Sequence, residues 1–233
     1  MINLDNFFKP KSVAIVGVSR NPEKVGHVLF RNLLDNGYPG NVYIVNNNAE
    51  KISNYKCYKS VLDIKNKIDL AIIAVPYQFV LGIVKECNKK NVKDILIITS
   101  GFSEVGNKAL EDELRNFINK NKIRMIGVNG LGILDVHNKM DSLFLPRHRL
   151  KRPQAGGISF VCQSGAVGST ILDLAAEKRH KFAKFVSYGN ATSIDESDII
   201  EYLSKDKNTR VICLYVEGVK DVKKFIDVMK KVT

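Results

Sequence analysis

The sequence predicts an α/β fold in which a doubly wound, parallel sheet is covered by helices on both faces. Five short apolar runs recur along the first part of the chain, at residues 13–16, 42–45, 70–75, 95–98 and 125–128. Uninterrupted runs of this length are typical of strands that are buried on both faces. Between them, residues 80–89 and 108–121 carry apolar side chains at helical spacing. This alternation of strands and crossover helices predicts a Rossmann-like domain.

The same alternation begins again after residue 157. Three more strand-like runs follow, at residues 158–161, 182–186 and 211–216. Each of them precedes a segment with helical periodicity. Three strands make a thin sheet for an independent domain, and the last helical segment reaches residue 233 without a Gly or Pro stop. We therefore expect a second α/β unit that is smaller than the first and incomplete.

The periodicity lapses between the two units. The intervening segment reads DVHNKMDSLFLPRHRLKRPQAGG and contains two prolines, several charges and a Gly pair, which is typical of a connection between domains. We predict a first domain at residues 1–135, a connection at 136–156 and a second domain at 157–233.

The composition argues against several classes of protein. Hydrophobic residues make up 45% of the 233 residues, which is enough for a substantial buried core. No apolar run approaches the roughly 20 residues that cross a bilayer, and the N-terminus does not follow the pattern of a secretory signal. We expect a cytoplasmic protein without membrane contact. The four cysteines form no CxxC pair, so we predict reduced thiols and no metal site.

Basic residues exceed acidic ones. The 36 Lys and Arg against 24 Asp and Glu give a formal net charge of +12. Such an excess favours an anionic partner, for example a nucleotide or a phosphorylated cofactor. The lysines are spread along the chain, with neither a long basic run nor an aromatic-rich RNA-binding pattern. We therefore expect no nucleic-acid partner and attribute most of the lysines to solubility.

A loop rich in small residues follows the first predicted strand and reads GVSRNPEKVG. Backbone amides and the dipole at the start of the following helix attract a phosphate group there. Gly17 permits a tight exit from the strand, and Gly26 permits a close approach of the helix. Ser19 and Arg20 supply hydrogen-bond donors, and Lys24 supplies a mobile positive charge. The glycines are equally open to a purely conformational explanation, because turns favour glycine.

The same loop lacks the features of a dinucleotide site. Its spacing is not GxGxxG, and the second predicted strand ends in Asn46, Asn47 and Asn48, without the acidic residue that holds the ribose of NAD. A dinucleotide redox cofactor is therefore disfavoured. The asparagines and Lys51 suit a nucleotide with an extra phosphate near its ribose, since no carboxylate repels that phosphate. Coenzyme A (CoA) is such a nucleotide.

Seven motifs in order resemble one known family. GVSRNPEKVG, AVP at residues 74–76 and ITSGFSEVG at residues 98–106 resemble the CoA-binding domain of ADP-forming acetyl-CoA synthetases, which are relatives of the succinyl-CoA synthetase α subunit. Four later motifs resemble the same enzymes, namely GVNGLGI, FVCQSGAVG, SYGNATSIDESDIIEYL and LYVEG. The resemblance covers nearly the whole chain. It implies a Rossmann-like CoA-binding domain followed by a smaller, flavodoxin-like α/β domain.

The resemblance also implies which residues hold CoA. Carried over residue by residue, it assigns CoA contacts to Gly17, Ser19, Arg20, Lys24, Gly26, Val75, Pro76, Ser100 and Gly101. The sequence departs from the family at Asn47 and Asn48, where a Pro and a Lys are common, and at Gly130, where a Cys is frequent. These departures bear on how the adenosine end of CoA is held.

A second anion site is predicted where FVCQSGAVG passes from a strand into a helix. Ser164 and Gly165 stand at that helix start, and amides there attract a phosphate. Ser164 is equally a favourable N-cap, worth about 1 kcal/mol without a ligand, and the resemblance favours phosphate. Glu217 follows the strand predicted at 211–216, at the edge where ligands gather. The resemblance implies that Glu217 supports a catalytic phosphohistidine, whereas an exposed loop carboxylate is the alternative.

The family catalyses acyl-CoA + phosphate + ADP to carboxylate + CoA + ATP, and the resemblance implies this reaction, with magnesium accompanying ADP and ATP. None of the four histidines lies in a Ser-His-Thr-Gly motif, which carries the family's phosphohistidine. We therefore expect that histidine and an ATP-grasp domain in further domains or another subunit, and a homo-oligomer stays open. The alternative is a stand-alone CoA or acyl-CoA sensor, or the regulatory module of an acyltransferase.

Overall fold

The computed structural model describes residues 2–232 and contains two sheets. The first sheet consists of β1 (Ser12–Val16), β2 (Asn41–Val45), β3 (Lys51–Ile52), β4 (Tyr55–Tyr58), β5 (Leu70–Ile73), β6 (Asp94–Ile97) and β7 (Arg124–Ile126). Its strand order is β3-β4-β2-β1-β5-β6-β7. Neighbouring strands are parallel except for the short antiparallel pair of β3 and β4. The predicted doubly wound parallel sheet is confirmed, and the chain changes its direction of winding between β1 and β5.

Helices cover both faces of this sheet. They are α2 (Val25–Asp35), α3 (Tyr77–Lys89) and α4 (Lys108–Lys120), after a single turn, α1 (Asp5–Phe8). All five residues of β1 are buried, since both faces of the strand are covered. α2 packs Leu29 and Leu33 into the core on one face, while α3 and α4 pack Val84 and Leu114 into the core on the other. The helical spacing seen in the sequence therefore marks the buried side of each helix.

The second sheet has five strands instead of the three predicted. They are β8 (Gly132–Asp135), β9 (Met140–Asp141), β10 (Ala155–Cys162), β11 (Phe182–Ser187) and β12 (Val211–Tyr215). The order is β12-β10-β11-β8-β9. The three predicted strands are mutually parallel, and β8 and β9 extend them as antiparallel neighbours. The sheet thus takes strands from both sides of residue 135, and the domain division at 1–135, 136–156 and 157–233 stays a prediction.

Hydrophobic periodicity does not predict the β8–β9 hairpin, because its strands are very short. It is held instead by side chains of the connection. Asp141 is fully buried, and the Arg152 guanidinium donates to its two carboxylate oxygens at 2.9 and 3.2 Å. Arg152 also donates to the carbonyl of Leu145 at 2.8 Å. The charges that mark the predicted connection therefore include a buried ion pair, because burial of a carboxylate requires a partner.

Three helices complete the second unit, namely α5 (Gly165–Glu177), α6 (Glu196–Leu203) and α7 (Val222–Val232). α6 begins with a capping box, in which Asp195 accepts from the backbone N–H of Asp198 and Asp198 accepts from that of Asp195. The Lys224 ammonium of α7 lies 2.9 Å from Asp195 and 2.7 Å from Asp198. α6 and α7 are thus joined by a cation placed between two carboxylates.

The two units share one apolar core. A single cluster of buried side chains runs from β1 and α2 in the first unit to β10, β11 and α6 in the second. α1 packs against α6, where the rings of Phe8 and Tyr202 stack with centroids 5.0 Å apart and the Tyr202 hydroxyl donates to Asp5 at 3.0 Å. This packing brings the carboxyl edges of the two sheets to the same side of the molecule.

Candidate functional site

One large cavity lies where the carboxyl edges of the two sheets meet. Its volume is about 990 Å³, at the upper end of the about 300–1,000 Å³ usual for small-molecule sites. Ten of the twelve predicted site residues line it, namely Gly17, Ser19, Lys24, Gly26, Val75, Pro76, Ser100, Ser164, Gly165 and Glu217. The loops after β1 and β5 lie beside each other there, at the point where the winding of the first sheet changes direction. Ligands of open α/β sheets bind at such a point.

The glycines of the first loop are required by the backbone around them. Gly17 has a φ of +101°, and a Cβ there would lie 2.2 Å from the carbonyl oxygen of Ala74. A Cβ on Gly26 would lie 2.1 Å from the carbonyl oxygen of Gly17. Helix α2 therefore packs directly on the loop, and the loop packs on the end of β5. The conformational explanation holds for both glycines, and their close packing also leaves the first amides of α2 at the cavity wall.

Two side chains fix the path of this loop. The Nδ1 atom of His27 lies 2.7 Å from the carbonyl oxygen of Ser19, and the Asn46 side-chain amide donates to the carbonyl of Val18 at 2.6 Å. The Ser19 hydroxyl oxygen accepts from the backbone N–H of Asn21 at 3.0 Å. His27 is buried, so it contacts the loop from the protein interior. These contacts hold the loop in one conformation.

Helices α2 and α3 begin at the cavity without a side-chain cap. The N-cap residues are Lys24 and Pro76, and neither side chain bonds the first turn. First-turn amides without a cap are donors for solvent or a ligand, and the helix dipole adds partial positive charge there. The Lys24 side chain is exposed at the same place. The first unit therefore presents two helix starts and a lysine to the cavity, which suits an anion.

The second turn differs because its serine caps the helix. Ser164 is the N-cap of α5, and its hydroxyl oxygen accepts from the backbone N–H of Val167 at 3.3 Å. The N-cap alternative for Ser164 is thus realised, and the hydroxyl hydrogen is still a donor. Beneath the turn, burial raises the pKa of the Cys162 thiol to about 11, so this thiol is protonated at neutral pH. It donates to the carbonyl of Ser164 at 2.9 Å.

Glu217 reaches the same cavity from the end of β12. The backbone N–H groups of Glu217 and Gly218 both donate to the side-chain oxygen Oε1 of Gln163, at 2.8 and 3.2 Å. Gln163 lines the cavity together with Ser164, Gly165 and Glu217. The second unit therefore brings a helix start and a carboxylate to the cavity, side by side.

Comparison with known proteins agrees with this geometry. A family model described as a CoA binding domain matches residues 11–135, which is more than half of the chain. The chain belongs to the CoA binding domain family. A second model, described as a succinyl-CoA ligase like flavodoxin domain, matches residues 155–233. Both the predicted fold class and the family resemblance are confirmed.

Related proteins extend the similarity over nearly the whole chain. An ADP-forming acetate–CoA ligase of Methanocaldococcus jannaschii is 45% identical over 224 residues, which are 96% of this chain and 31% of the ligase. The α subunit of an ADP-forming acetate–CoA ligase II of Pyrococcus furiosus is 40% identical over 232 residues, which are 99% of this chain and 50% of the subunit. The chain thus spans about a third to a half of the length of these curated relatives.

A solved structure has the same fold over the same extent. It is acetyl-coenzyme A synthetase 1 of Ca. Korarchaeum cryptofilum, described as dinucleotide forming and in complex with phosphate and ADP. It superposes with a TM-score of 0.93 at 37% identity, and the match covers 99% of this chain and 49% of that one. The family similarity therefore includes the arrangement of both sheets.

Two predicted site residues lie outside the cavity lining. Arg20 is exposed, and its positive charge acts on Cys57, whose pKa is raised by burial and lowered in part by Arg20. Gly101 has a φ of +111°, and its backbone N–H donates to the Glu104 carboxylate at 2.5 Å. The Gly101 amide is therefore engaged within the protein, and CoA contacts by these two residues stay predictions.

Sequence reasoning missed a polar network at the rim of the cavity. The Asn190 side-chain amide donates to Glu104 at 2.7 Å and to Glu111 at 3.0 Å, so one residue of the second unit holds two carboxylates of the first. Burial raises the pKa of both carboxyls, but hydrogen bonds outweigh it and leave both pKa values below the ordinary range. Both carboxylates are therefore ionised at neutral pH. The sequence points to Asn190 only through the motif SYGNATS, which is part of the family resemblance.

Other chemistry is sparse among residues 2–232. The histidines of this part of the chain do not line the cavity. Within the same residues, no group of three or more His, Cys, Asp or Glu is placed to hold a metal ion. No helix formed by them is both long and apolar enough to pass through a bilayer.

Proposed function

We propose that this chain is the CoA-binding part of an ADP-forming acyl-CoA synthetase, which converts acyl-CoA, phosphate and ADP into carboxylate, CoA and ATP. One observation carries the proposal. The CoA-type loop of the first sheet and the Ser164 turn of the second sheet open into the same cavity, in a chain similar throughout to ADP-forming acetate–CoA ligases. A thioester and a phosphate would therefore be held in the same cavity.

In this proposal the first unit holds CoA. The amides at the starts of α2 and α3 and the Lys24 ammonium bind its phosphate groups, and Val75, Pro76 and Ser100 line its path through the cavity. Gly17 and Gly26 let the loop, α2 and the end of β5 pack together where a side chain would clash, and this packing supports the proposal because it leaves the first amides of α2 at the cavity wall. The asparagines after β2 place no carboxylate against the extra phosphate that distinguishes CoA from NAD.

The second unit holds inorganic phosphate at Ser164 and Gly165. A phosphate oxygen attacks the thioester carbonyl carbon, the carbon–sulfur bond breaks, and the CoA thiolate leaves and takes up a proton. The products of this step are an acyl phosphate and CoA. The amides at the start of α5 stabilise the negative charge that develops on the reacting oxygens. Glu217 lies at the same wall to support the histidine that next accepts the phosphoryl group.

Further parts complete the reaction in this proposal. The phosphohistidine segment and an ATP-grasp domain are supplied by other domains or another subunit, and ADP or ATP binds there with magnesium. The solved relative in complex with phosphate and ADP supports this choice of ligands. We keep a cytoplasmic location and a homo-oligomer as predictions.

Calorimetric titration of the protein with CoA, dephospho-CoA and NAD tests the ligand class. We expect CoA to bind with a stoichiometry of about one per chain. Dephospho-CoA should bind at least about tenfold more weakly, because it lacks the phosphate near the ribose. A tenfold change in affinity corresponds to about 1.4 kcal/mol. Binding of NAD without binding of CoA would refute the proposal. CoA binding without turnover by the complete protein would favour a sensor or regulatory module.

A further inference from the structure

Gln163 connects the phosphate-binding turn to the loop that carries Glu217. It is the first of the two residues between β10 and α5, directly before Ser164. Its backbone N–H donates to the carbonyl of Tyr215 at 3.0 Å, and its side-chain oxygen accepts from the N–H groups of Glu217 and Gly218 at 2.8 and 3.2 Å. One residue thus makes three hydrogen bonds to the last residue of β12 and the loop after it, 54 positions further along the chain.

The direction of the Gln163 amide follows from these contacts. Backbone N–H groups are donors only, so the side-chain atom that faces Glu217 and Gly218 must be the oxygen. The hydroxyl of the fully buried Tyr188 approaches the same oxygen at 3.5 Å. The amide plane is therefore oriented by protein groups, and the nitrogen Nε2 is the donor that Gln163 can offer to a ligand in the cavity.

We propose that Gln163 is a positioning residue, which sets the place of Glu217 relative to the phosphate held at Ser164 and Gly165. This inference rests on the proposed function. The Glu217 side chain is exposed, and the backbone N–H groups of Glu217 and Gly218 donate to the Gln163 side chain. Further along the same loop, the Lys220 ammonium donates to the carbonyls of Asn190 and Ala191 at 2.6 and 2.9 Å. Loss of the Gln163 bonds therefore leaves the loop attached at Lys220 but removes the contacts next to Glu217, so its carboxylate is held less closely at the cavity wall.

The residue type at position 163 fits this task. A glutamate would accept the same two N–H groups, but it would add a negative charge next to the turn that binds phosphate. A leucine of similar size would remove the acceptor altogether. Glutamine is neutral and accepts on one side while donating on the other, so it can hold the Glu217 loop without repelling the anion.

Two variants of the complete enzyme separate these roles, measured as kcat, KM for phosphate and CoA affinity. Gln163→Leu should lower kcat by about tenfold to a hundredfold, which is less than the full contribution of a positioned catalytic side chain. CoA affinity should stay within about twofold of the wild-type value. Gln163→Glu keeps the acceptor, so it should retain kcat within about threefold and raise KM for phosphate at least tenfold. A merely structural role predicts instead that both variants lower thermal stability and CoA affinity together.

A double-mutant cycle with Glu217→Gln tests the connection directly. If Gln163 acts through the Glu217 carboxylate, adding Gln163→Leu to Glu217→Gln should reduce kcat by less than about twofold, since the two residues act as a unit. The positioning role would be overturned if the losses of kcat in the two single variants multiplied in the double variant. It would also be overturned if the Gln163→Leu enzyme kept the wild-type kcat. Wild-type turnover in the same assay tests the proposed function separately, and an inactive wild-type enzyme would overturn both.

Discussion

The two turns that we propose to bind phosphate groups are built in different ways. The turn between β1 and α2 has a glycine at each end, packed against a carbonyl oxygen, and its helix begins without a side-chain cap. The turn between β10 and α5 has a serine that caps its helix and a glutamine that bonds the neighbouring loop. The first turn leaves the amides at the start of α2 uncapped at the cavity, whereas the second turn uses its side chains to cap α5 and to bond the neighbouring loop.

This difference matches the two tasks that we propose. A turn that only has to hold a phosphate of CoA needs a rigid backbone and a positive charge, and Gly17, Gly26 and Lys24 supply these. A turn where bonds are made and broken must also keep a carboxylate at a fixed place. In our proposal the second turn does so through Gln163, whose side chain connects the loop of Glu217 to the turn of Ser164. The proposal therefore assigns CoA binding to the backbone shape of the first turn, and catalysis to side-chain contacts between strands.

The largest expected effect comes from breaking the shape of the first turn. Gly17→Ala places a Cβ against the carbonyl of Ala74 at 2.2 Å and forces a residue with a side chain to a φ of +101°. We expect the free energy of unfolding to fall by about 2–3 kcal/mol and CoA binding to be lost, as measured by denaturant unfolding and calorimetry. Gly82→Ala in α3 is the control, because no atom lies within 4 Å of its Cβ. It should be neutral or stabilising by up to about 1 kcal/mol. Equal behaviour of the two variants would contradict the packing argument.

A smaller effect is expected from reversing the charge at the first turn. Lys24→Glu should weaken CoA binding by about tenfold to a hundredfold through repulsion of its phosphates, without changing thermal stability, since the side chain is exposed. Lys65→Glu carries the same charge change at an exposed site outside the cavity lining. If both variants bind CoA equally well, Lys24 is not part of the site. The weakening should also shrink as salt is added.

The smallest effect concerns the cap of the second turn. Ser164→Ala removes the acceptor for the Val167 N–H, so stability should fall by about 1 kcal/mol. Ser164→Asp keeps a good N-cap residue and should retain stability, but its carboxylate should raise KM for phosphate at least tenfold. Unfolding curves and steady-state kinetics on the pair separate the two roles of the serine. Unchanged KM in the Asp variant would leave Ser164 as a cap alone.

The sequence predicts those parts of the molecule that depend on local pattern. The strands buried on both faces, the helices between them and the glycine-rich loop all follow from residues close together in the chain. The β8–β9 hairpin does not, because strands of four and two residues are too short to show periodicity and because Asp141 is held by Arg152, 11 positions further along the chain. The sequence does not predict the contacts of Asn190 for a related reason, since its place at the cavity follows from how the two units pack.

The residue roles divide in the same way. Lys24 and Ser164 are recognisable from their position between a strand and a helix. The contacts of Gln163 with Glu217, and of Asn190 with Glu104 and Glu111, join residues that are distant in the chain. Contacts of this kind depend on the register of β10 against β12 and on how the two units pack. A single sequence contains no local signal for either.

The shared apolar core has a consequence for how the protein behaves as a whole. Because one cluster of buried side chains runs through both units, we expect them to melt in a single cooperative transition. The distance between the two turns that we propose to bind anions is then set by side-chain packing and not by the length of a flexible linker. A substrate that spans this distance finds it fixed. We therefore expect the length of the substrate's flexible part, and not a domain movement, to decide which thioesters reach the phosphate.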